Sequence, residues 1–395
     1  MRAVIVGPGR IGCGYLAPTL AAAGWQVTLA ARDEERAERI RAAGAFTARV
    51  TSPVEERRTI RDVRSVAVGT PPFEQVVRDA DLVCTAVGVA NLPALVEPLA
   101  RALARRPPDR PLDVWVVENG DCAGALARAV RAAARHPLLH VGFAGGVATA
   151  VVSRGRWTNG AAEFVGDAPR ELYLDARGLV GRVPLPPGAT VTPHYAARLR
   201  EKLFVFNAAH AICAYLGWLR GHSRIDEAVT DPGLRSMVVG CLLESRRALV
   251  AAHPELGSGI REHAAEALRR FGDRQLADPV VRVAREPIRK LRPGDRLLGP
   301  VQLIRESTGS VPSYFALAVA GALLYRGPAD SEAEELGELL AVDGVRSALE
   351  QVCGLAADDP FAEAVATRYR NFVITPTGTH FPPVHAAGAL GDARV

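Results

Sequence analysis

The chain opens on "RAVIVGPGRIGCGYLAPTLAAAGWQVTLAARDEER", and this stretch constrains the fold more than any other. An apolar run leads into Gly7, Gly9 and Gly12 in the spacing G-x-G-x-x-G. A helical pattern comes next, and then a second β-rich run. In such a strand–turn–helix the first glycine allows the tight turn. The second lets backbone approach a pyrophosphate, and the third lets helix pack against strand. The helix N-terminus then faces the phosphates. The loop from Gly7 to Gly12, with Arg10 and Ile11 inside it, is therefore a candidate dinucleotide site.

The second strand bears on which dinucleotide. An NAD-selective site places a carboxylate at the end of that strand to hold the ribose hydroxyls. Here Ala31 stands there, followed by Arg32, with Arg36 one turn on. A guanidinium in place of the carboxylate favours a 2′-phosphate. The expectation is NADP(H), with NAD(H) as the alternative through Asp33.

Beyond the loop, "DLVCTAV", "DVWVVEN" and "LLHVGFA" read as strands buried on both faces, separated by helical stretches such as 33–43 and 122–135. That alternation predicts a doubly wound parallel α/β sheet of the Rossmann type, with "EFVG" and "ELYLD" as extra strands near its end. A proline-rich stretch, 183–193, then reads as a linker. Apolar residues at helical spacing dominate the rest of the chain: 194–219, 231–252, 258–272, 297–307, 312–326, 331–341 and 359–371. We expect a dinucleotide-binding domain over 1–188, a helical substrate domain over 189–373, and an extended or disordered tail over 374–395.

Composition narrows the class. The chain has 395 residues, 48% hydrophobic and 23% charged, with a net charge of +5, as in an ordinary globular protein. Its basic residues are spread among acids, without the arm or aromatic interleaving of a nucleic-acid binder. The longest apolar helical stretch is taken to be "YFALAVAGALLY", too short to cross a bilayer, so no membrane partner is expected. The chain starts directly on a strand, and we expect a cytoplasmic protein without a signal peptide. Six scattered cysteines offer no metal-ligand spacing and no disulfide framework, so no metal is expected.

Of the 48 basic residues only Lys202 and Lys290 are lysines, which leaves 46 arginines. Lys202 lies in "REKLFVFNAAHAICAYLGWLRGH". On an α-helix Lys202, Asn207 and His210 fall at about 0°, 140° and 80° round the axis, on one broad face. A lysine whose pKa is lowered by burial or by neighbouring cations can act as a general base, and arginine cannot replace it there. Asn207 can donate to an oxygen that becomes an alkoxide, and His210 can orient substrate or relay a proton. Lys290 lies in the densest basic run, with Arg285, Arg289, Arg292 and Arg296. With Arg285 and Arg289 it forms a candidate clamp for an anionic substrate.

The Lys-x4-Asn-x2-His spacing of this helix resembles the signature of the polyol-specific long-chain dehydrogenases. "VAREPIRKLRPGDRLLGP", "GPGRIGCGYL", "TAVG" and "VEN" are similar to the mannitol-1-phosphate 5-dehydrogenases among them, in order over about residues 1–370. The resemblance implies a Rossmann domain, a helical substrate domain and an active site between them. It implies metal-independent, reversible hydride transfer between a nicotinamide and a polyol or ketose, free or phosphorylated, by a monomer or small homo-oligomer. It makes Lys202 the general acid/base, Asn207 an oxyanion donor, His210 a substrate-orienting group and Lys290 a substrate contact, and places Val87 and Asn119 at the cofactor.

One segment departs from the family pattern. Where a polar residue and then Val-Asp-Arg-Ile are expected, this chain has Gly145 and, over 148–151, "ATAV". Arg154 and Arg156 are the candidates to compensate. The departure points to an altered polyol or sugar-phosphate substrate. Two other readings compete with this one. A β-hydroxyacid or ketopantoate-type reductase also joins a Rossmann domain to a helical one, but separates its Lys and Asn by three residues, not four. A non-catalytic NADP-binding regulator is the other.

Overall fold

In the computed structural model, residues 1–375 and 378–380 are described, except 53, 158–161, 169, 182 and 258. The chain divides into two compact units, Met1–Leu199 and the remainder from Arg200.

The first unit is built on an eight-stranded sheet. In chain order the strands of this unit are β1 (Arg2–Val6), β2 (Gln26–Ala31), β3 (Ala45–Val50), β4 (Glu56–Arg61), β5 (Arg64–Ala67) and β6 (Leu82–Thr85). They continue with β7 (Leu112–Val116), β8 (Val141–Ala148), β9 (Val152–Arg154), β10 (Ala162–Gly166), β11 (Leu172–Asp175) and β12 (Ala189–Thr192). The main sheet runs β12-β11-β8-β7-β6-β1-β2-β5. From β5 to β8 every pairing is parallel, the doubly wound order that the sequence predicts. Helices cover both faces. Phe73, Val77, Leu99, Leu103, Leu126 and Val130 fill one side, and Leu16, Leu20, Trp25 and Ile40 the other.

Three features differ from the sequence expectation. "EFVG" becomes β10 and joins a separate four-stranded sheet, β4-β3-β10-β9, whereas "ELYLD" becomes β11 and extends the main sheet antiparallel to β8. The stretch read as a linker contains β12, which pairs parallel to β11. Its alternating "ATVT" follows the prolines and supplies the β-branched residues a strand favours. The division between units accordingly falls at 199, eleven residues beyond 188.

In the second unit, Ala208–Leu219 is buried at 11 of its 12 positions, and Ser313–Leu323 at nine. Around them lie Ile225–Thr230, Pro232–Ala252, Gly259–Phe271, Leu298–Thr308, Ser331–Val342, Gly344–Cys353 and Pro360–Asn371. Of the basic run, Arg285 caps the end of the short helix Val280–Ala284, and Arg289 and Lys290 lie in a second one, Pro287–Leu291. At the start of the expected tail, Val373–Thr375 and Gly378–His380 pair as a hairpin. Residues 376, 377 and 381–395 lie outside the described residues. The longest apolar helix is not the one read from sequence. It is the 25-residue run Tyr195–Leu219, long and apolar enough to cross a membrane but 83% buried over its most apolar window, as a core helix is.

Candidate active site

In the first unit Gly7 takes φ +101°, and a Cβ there would lie 2.5 Å from the Ala86 carbonyl oxygen. A Cβ on Gly12 would lie 2.1 Å from the Gly7 oxygen. Both positions require glycine for the loop to close. Gly9 differs, because a Cβ there meets no protein atom within 4 Å. The space beside it is what a pyrophosphate needs in order to approach the backbone. Two contacts that the sequence did not reveal hold this loop. Trp157 donates its indole N–H to the Pro8 carbonyl at 2.9 Å. Buried Glu118 accepts the backbone N–H groups of Val87 and Gly88 at 2.9 and 2.8 Å, although burial raises its pKa. Thus Val87 follows β6 under the grip of Glu118, and Asn119 is the next residue along from that carboxylate. Ile11 packs against the core, and Arg10 begins the helix after the loop.

Arg32 extends from the end of β2 with its side chain 80% exposed, its Nε 2.9 Å from Asp33. The other Asp33 oxygen accepts the Arg36 N–H at 2.9 Å and caps the helix Glu34–Ala43. That carboxylate is therefore occupied as an N-cap.

The Gly145 departure has a packing cause. The Tyr195 ring lies on it, and a Cβ on residue 145 would be 2.4 Å from Tyr195 Cζ and 2.5 Å from its hydroxyl oxygen. Gly145 pairs with Val116, the last residue of β7. Arg154 and Arg156, the compensating candidates, are both exposed, and Arg154 belongs to the other sheet. The side chain that fills the place beside Gly145 is Tyr195.

The catalytic candidates of the second unit meet on an irregular helix. Lys202–Asn207 is a π-helical segment between Tyr195–Glu201 and Ala208–Leu219. An i→i+5 helix turns by about 80° per residue, which moves Asn207 to about 40° from Lys202 and His210 to about 20° on its other side. The broad face expected of an α-helix contracts to a stripe. The helix carries its bulge where Phe204 meets Gly299, whose missing side chain leaves room for the ring at 2.4 Å from an ideal Cβ.

Lys202 is half-buried. Burial first, then the guanidinium charges of Arg296 and Arg270, pull its ammonium from 10.5 down to about 7. The Asn207 side-chain nitrogen is buried with no hydrogen-bond partner among the described residues, a donor whose burial costs about 1–3 kcal/mol until an acceptor arrives. His210 is 8% exposed. Its ring stacks on Phe271 at 4.8 Å, and its Nε2 lies 3.1 Å from Asp278. Asp278 also receives Arg282. Burial raises the Asp278 pKa, but His210 and Arg282 together hold it well below the usual carboxylate range. A proton on Nε2 leaves Nδ1 as the acceptor of the neutral ring.

The basic run separates into distinct roles. Lys290 is only 3% exposed, and burial with Arg296 and Arg289 nearby lowers its pKa far below the usual value. Arg289 is bound to Glu286 at 2.8 Å, and Arg285 lies half-exposed with its Nε 3.5 Å from the same carboxylate. Arg296 acts on both lysines, and its own Nε meets Asp295 at 2.8 Å. Arg270 lies 4.2 Å over the Phe206 ring. Nothing in the sequence marks Arg270 or Asp278. Each is one Arg or Asp among many, with no spacing to mark it.

A Rossmann unit with an open glycine loop followed by a mainly helical unit is a fold of the Rossmann-type dehydrogenases. The comparisons narrow this class. The sequence matches the Mannitol dehydrogenase Rossmann domain over residues 1–142 and the Mannitol dehydrogenase C-terminal domain over residues 195–373. The chain belongs to the mannitol dehydrogenase family of polyol dehydrogenases. Its fold is similar to Pseudomonas fluorescens mannitol 2-dehydrogenase, solved with NAD and D-mannitol, at 17% identity and TM-score 0.76 over 94% of this chain and 91% of that one. A substrate-free D-sorbitol dehydrogenase matches at 16% identity and TM-score 0.69 over 93% and 92%. A 2-dehydropantoate 2-reductase from Geobacter metallireducens matches at 16% identity and TM-score 0.52 over 82% and 99%.

Proposed function

We propose that this protein catalyses reversible hydride transfer between NADP(H) and a polyol or ketose, with a phosphorylated sugar as the preferred substrate. The observation that carries this reading is Lys202, drawn to about 7 on the same π turn as the unpartnered Asn207 amide.

The dinucleotide would be held by the loop of Gly7, Gly9, Arg10, Ile11 and Gly12 and by the turn at Val87, and bound there it supplies or accepts the hydride. In the reductive direction the ketone carbon gains the hydride and its oxygen becomes an alkoxide. Asn207 donates its amide N–H to that oxygen, and the Lys202 ammonium delivers the proton that completes the alcohol. In oxidation neutral Lys202 takes the alcohol proton first. His210, its ring set by Asp278 and Phe271, accepts a neighbouring substrate hydroxyl.

Charge supports the phosphate. Arg296 and Arg270 disfavour the charged form of Lys202, and Arg296 and Arg289 that of Lys290; an anionic substrate beside them would favour both ammonium forms. The exposed guanidinium of Arg32 supports NADP, since Asp33 is committed to capping.

Purified protein would be given NADPH or NADH with fructose 6-phosphate or fructose. We expect fastest oxidation of NADPH with the phosphorylated sugar, lost by at least 100-fold in Lys202→Ala while NADPH binding persists. A Lys202→Ala variant that keeps its turnover sinks the mechanism. NADPH binding without turnover of any ketose by the wild type would favour a regulator.

A further inference from the structure

The first unit contains a second concavity, at the opposite end of the strands from the glycine loop. A cavity of about 440 Å3 opens where β2 and β5 begin and β4 ends, whereas the loop and Arg32 follow the other ends of β1 and β2. The size lies within the range of small-molecule pockets, about 300–1,000 Å3. Its floor is apolar and includes the buried Trp25, Leu29, Phe46 and Val63.

The rim is cationic. Arg58, Arg61 and Arg64 line it, all exposed, against the single carboxylate of Asp62. Elsewhere on this unit arginines find acids: Arg39 pairs with Glu35, Arg57 with Glu55 and Arg101 with Glu74. Arg58, Arg61 and Arg64 carry no ion pair or side-chain hydrogen bond among the described residues. Guanidinium groups suit carboxylate and phosphate oxygens, which they bind in bidentate fashion. A purely apolar ligand would leave this charge unanswered, and a purely ionic one would leave the aromatic floor wet. We propose that this cleft binds a small anion with an apolar body, a hydrocarbon or aromatic portion seated on Trp25 and Phe46 and a carboxylate or phosphate held by Arg58, Arg61 and Arg64. The cleft shares no residue with the proposed polyol site, and its occupancy does not depend on that reading.

The test is calorimetric titration of the full chain below micellar concentrations with four twelve-carbon probes. These are dodecanoate, dodecyl phosphate, dodecanol and dodecyltrimethylammonium. We expect saturable binding of one or both anions at one site per chain, at least tenfold tighter than the alcohol, with the cation weakest. The phosphate and carboxylate arms separate the two head groups. The Arg58→Ala/Arg61→Ala/Arg64→Ala variant, altered only at exposed positions, should lose the anion at least tenfold while melting and NADPH affinity stay unchanged. Equal affinities for all four probes, or full anion binding by the triple variant, would overturn the proposal.

Discussion

At the scale of single residues, the role proposed for Lys202 ties activity to stability. Its folded-state pKa of about 7 lies below the unfolded value of 10.5, so between these values the unfolded chain binds more protons. Stability then rises with pH across that window, and the cost of the buried charge is fully present below about 7. Replacing the amine by Lys202→Met should therefore raise the melting temperature more at pH 6 than at pH 10, read by scanning calorimetry at both. The same group predicts that alcohol oxidation climbs as pH passes upward through about 7, while ketone reduction falls. A pH profile that is flat for both directions removes Lys202 as the proton carrier. The residue stood out as a candidate because lysine is so rare in this chain. What lowers its pKa was not legible, since Arg270 and Arg296 are distant from it in sequence; Arg270 carries no mark there among 46 arginines, and Arg296 stands out only for its place near Lys290.

At the scale of elements, the glycine loop separates folding from binding. Gly9→Ala places its methyl in open space, so melting should be unchanged while dinucleotide affinity drops. Gly12→Ala drives its methyl to 2.1 Å from the Gly7 oxygen and should lower the melting temperature itself. Thermal scans with and without NADPH distinguish the two, and equal destabilisation by both would refute the packing account. The glycines, the strand–helix alternation and most long helices were readable, because hydrophobic period and turn chemistry are local. The π turn at Lys202–Asn207 was not. Its sequence is compatible with an ordinary α-helix, and the irregularity coincides with a contact far along the chain, Phe204 against Gly299. β12 and the four-stranded sheet were hidden for a related reason: short strands such as "VSR" acquire their identity from pairing partners far along the chain.

At the scale of the whole molecule, positive charge is carried almost entirely by guanidinium groups, and both lysines lie withdrawn from the surface, Lys290 nearly completely. An amine-selective acylating reagent at neutral pH therefore meets only two side-chain targets in this sequence: the enclosed Lys290, and Lys202, about half of which is unprotonated and nucleophilic near pH 7. Reagents that decorate an ordinary protein in dozens of places should act on this one as an affinity label without any affinity group. Intact-mass measurement should show one or two acyl additions, with turnover lost in step with modification of Lys202 in the peptide map and preserved when NADPH and ketose are both present. Full turnover after stoichiometric acylation of Lys202 would contradict this. The exchange of lysine for arginine has left the chain with a nearly silent surface toward amine chemistry, and its most reactive amine at the place proposed for catalysis.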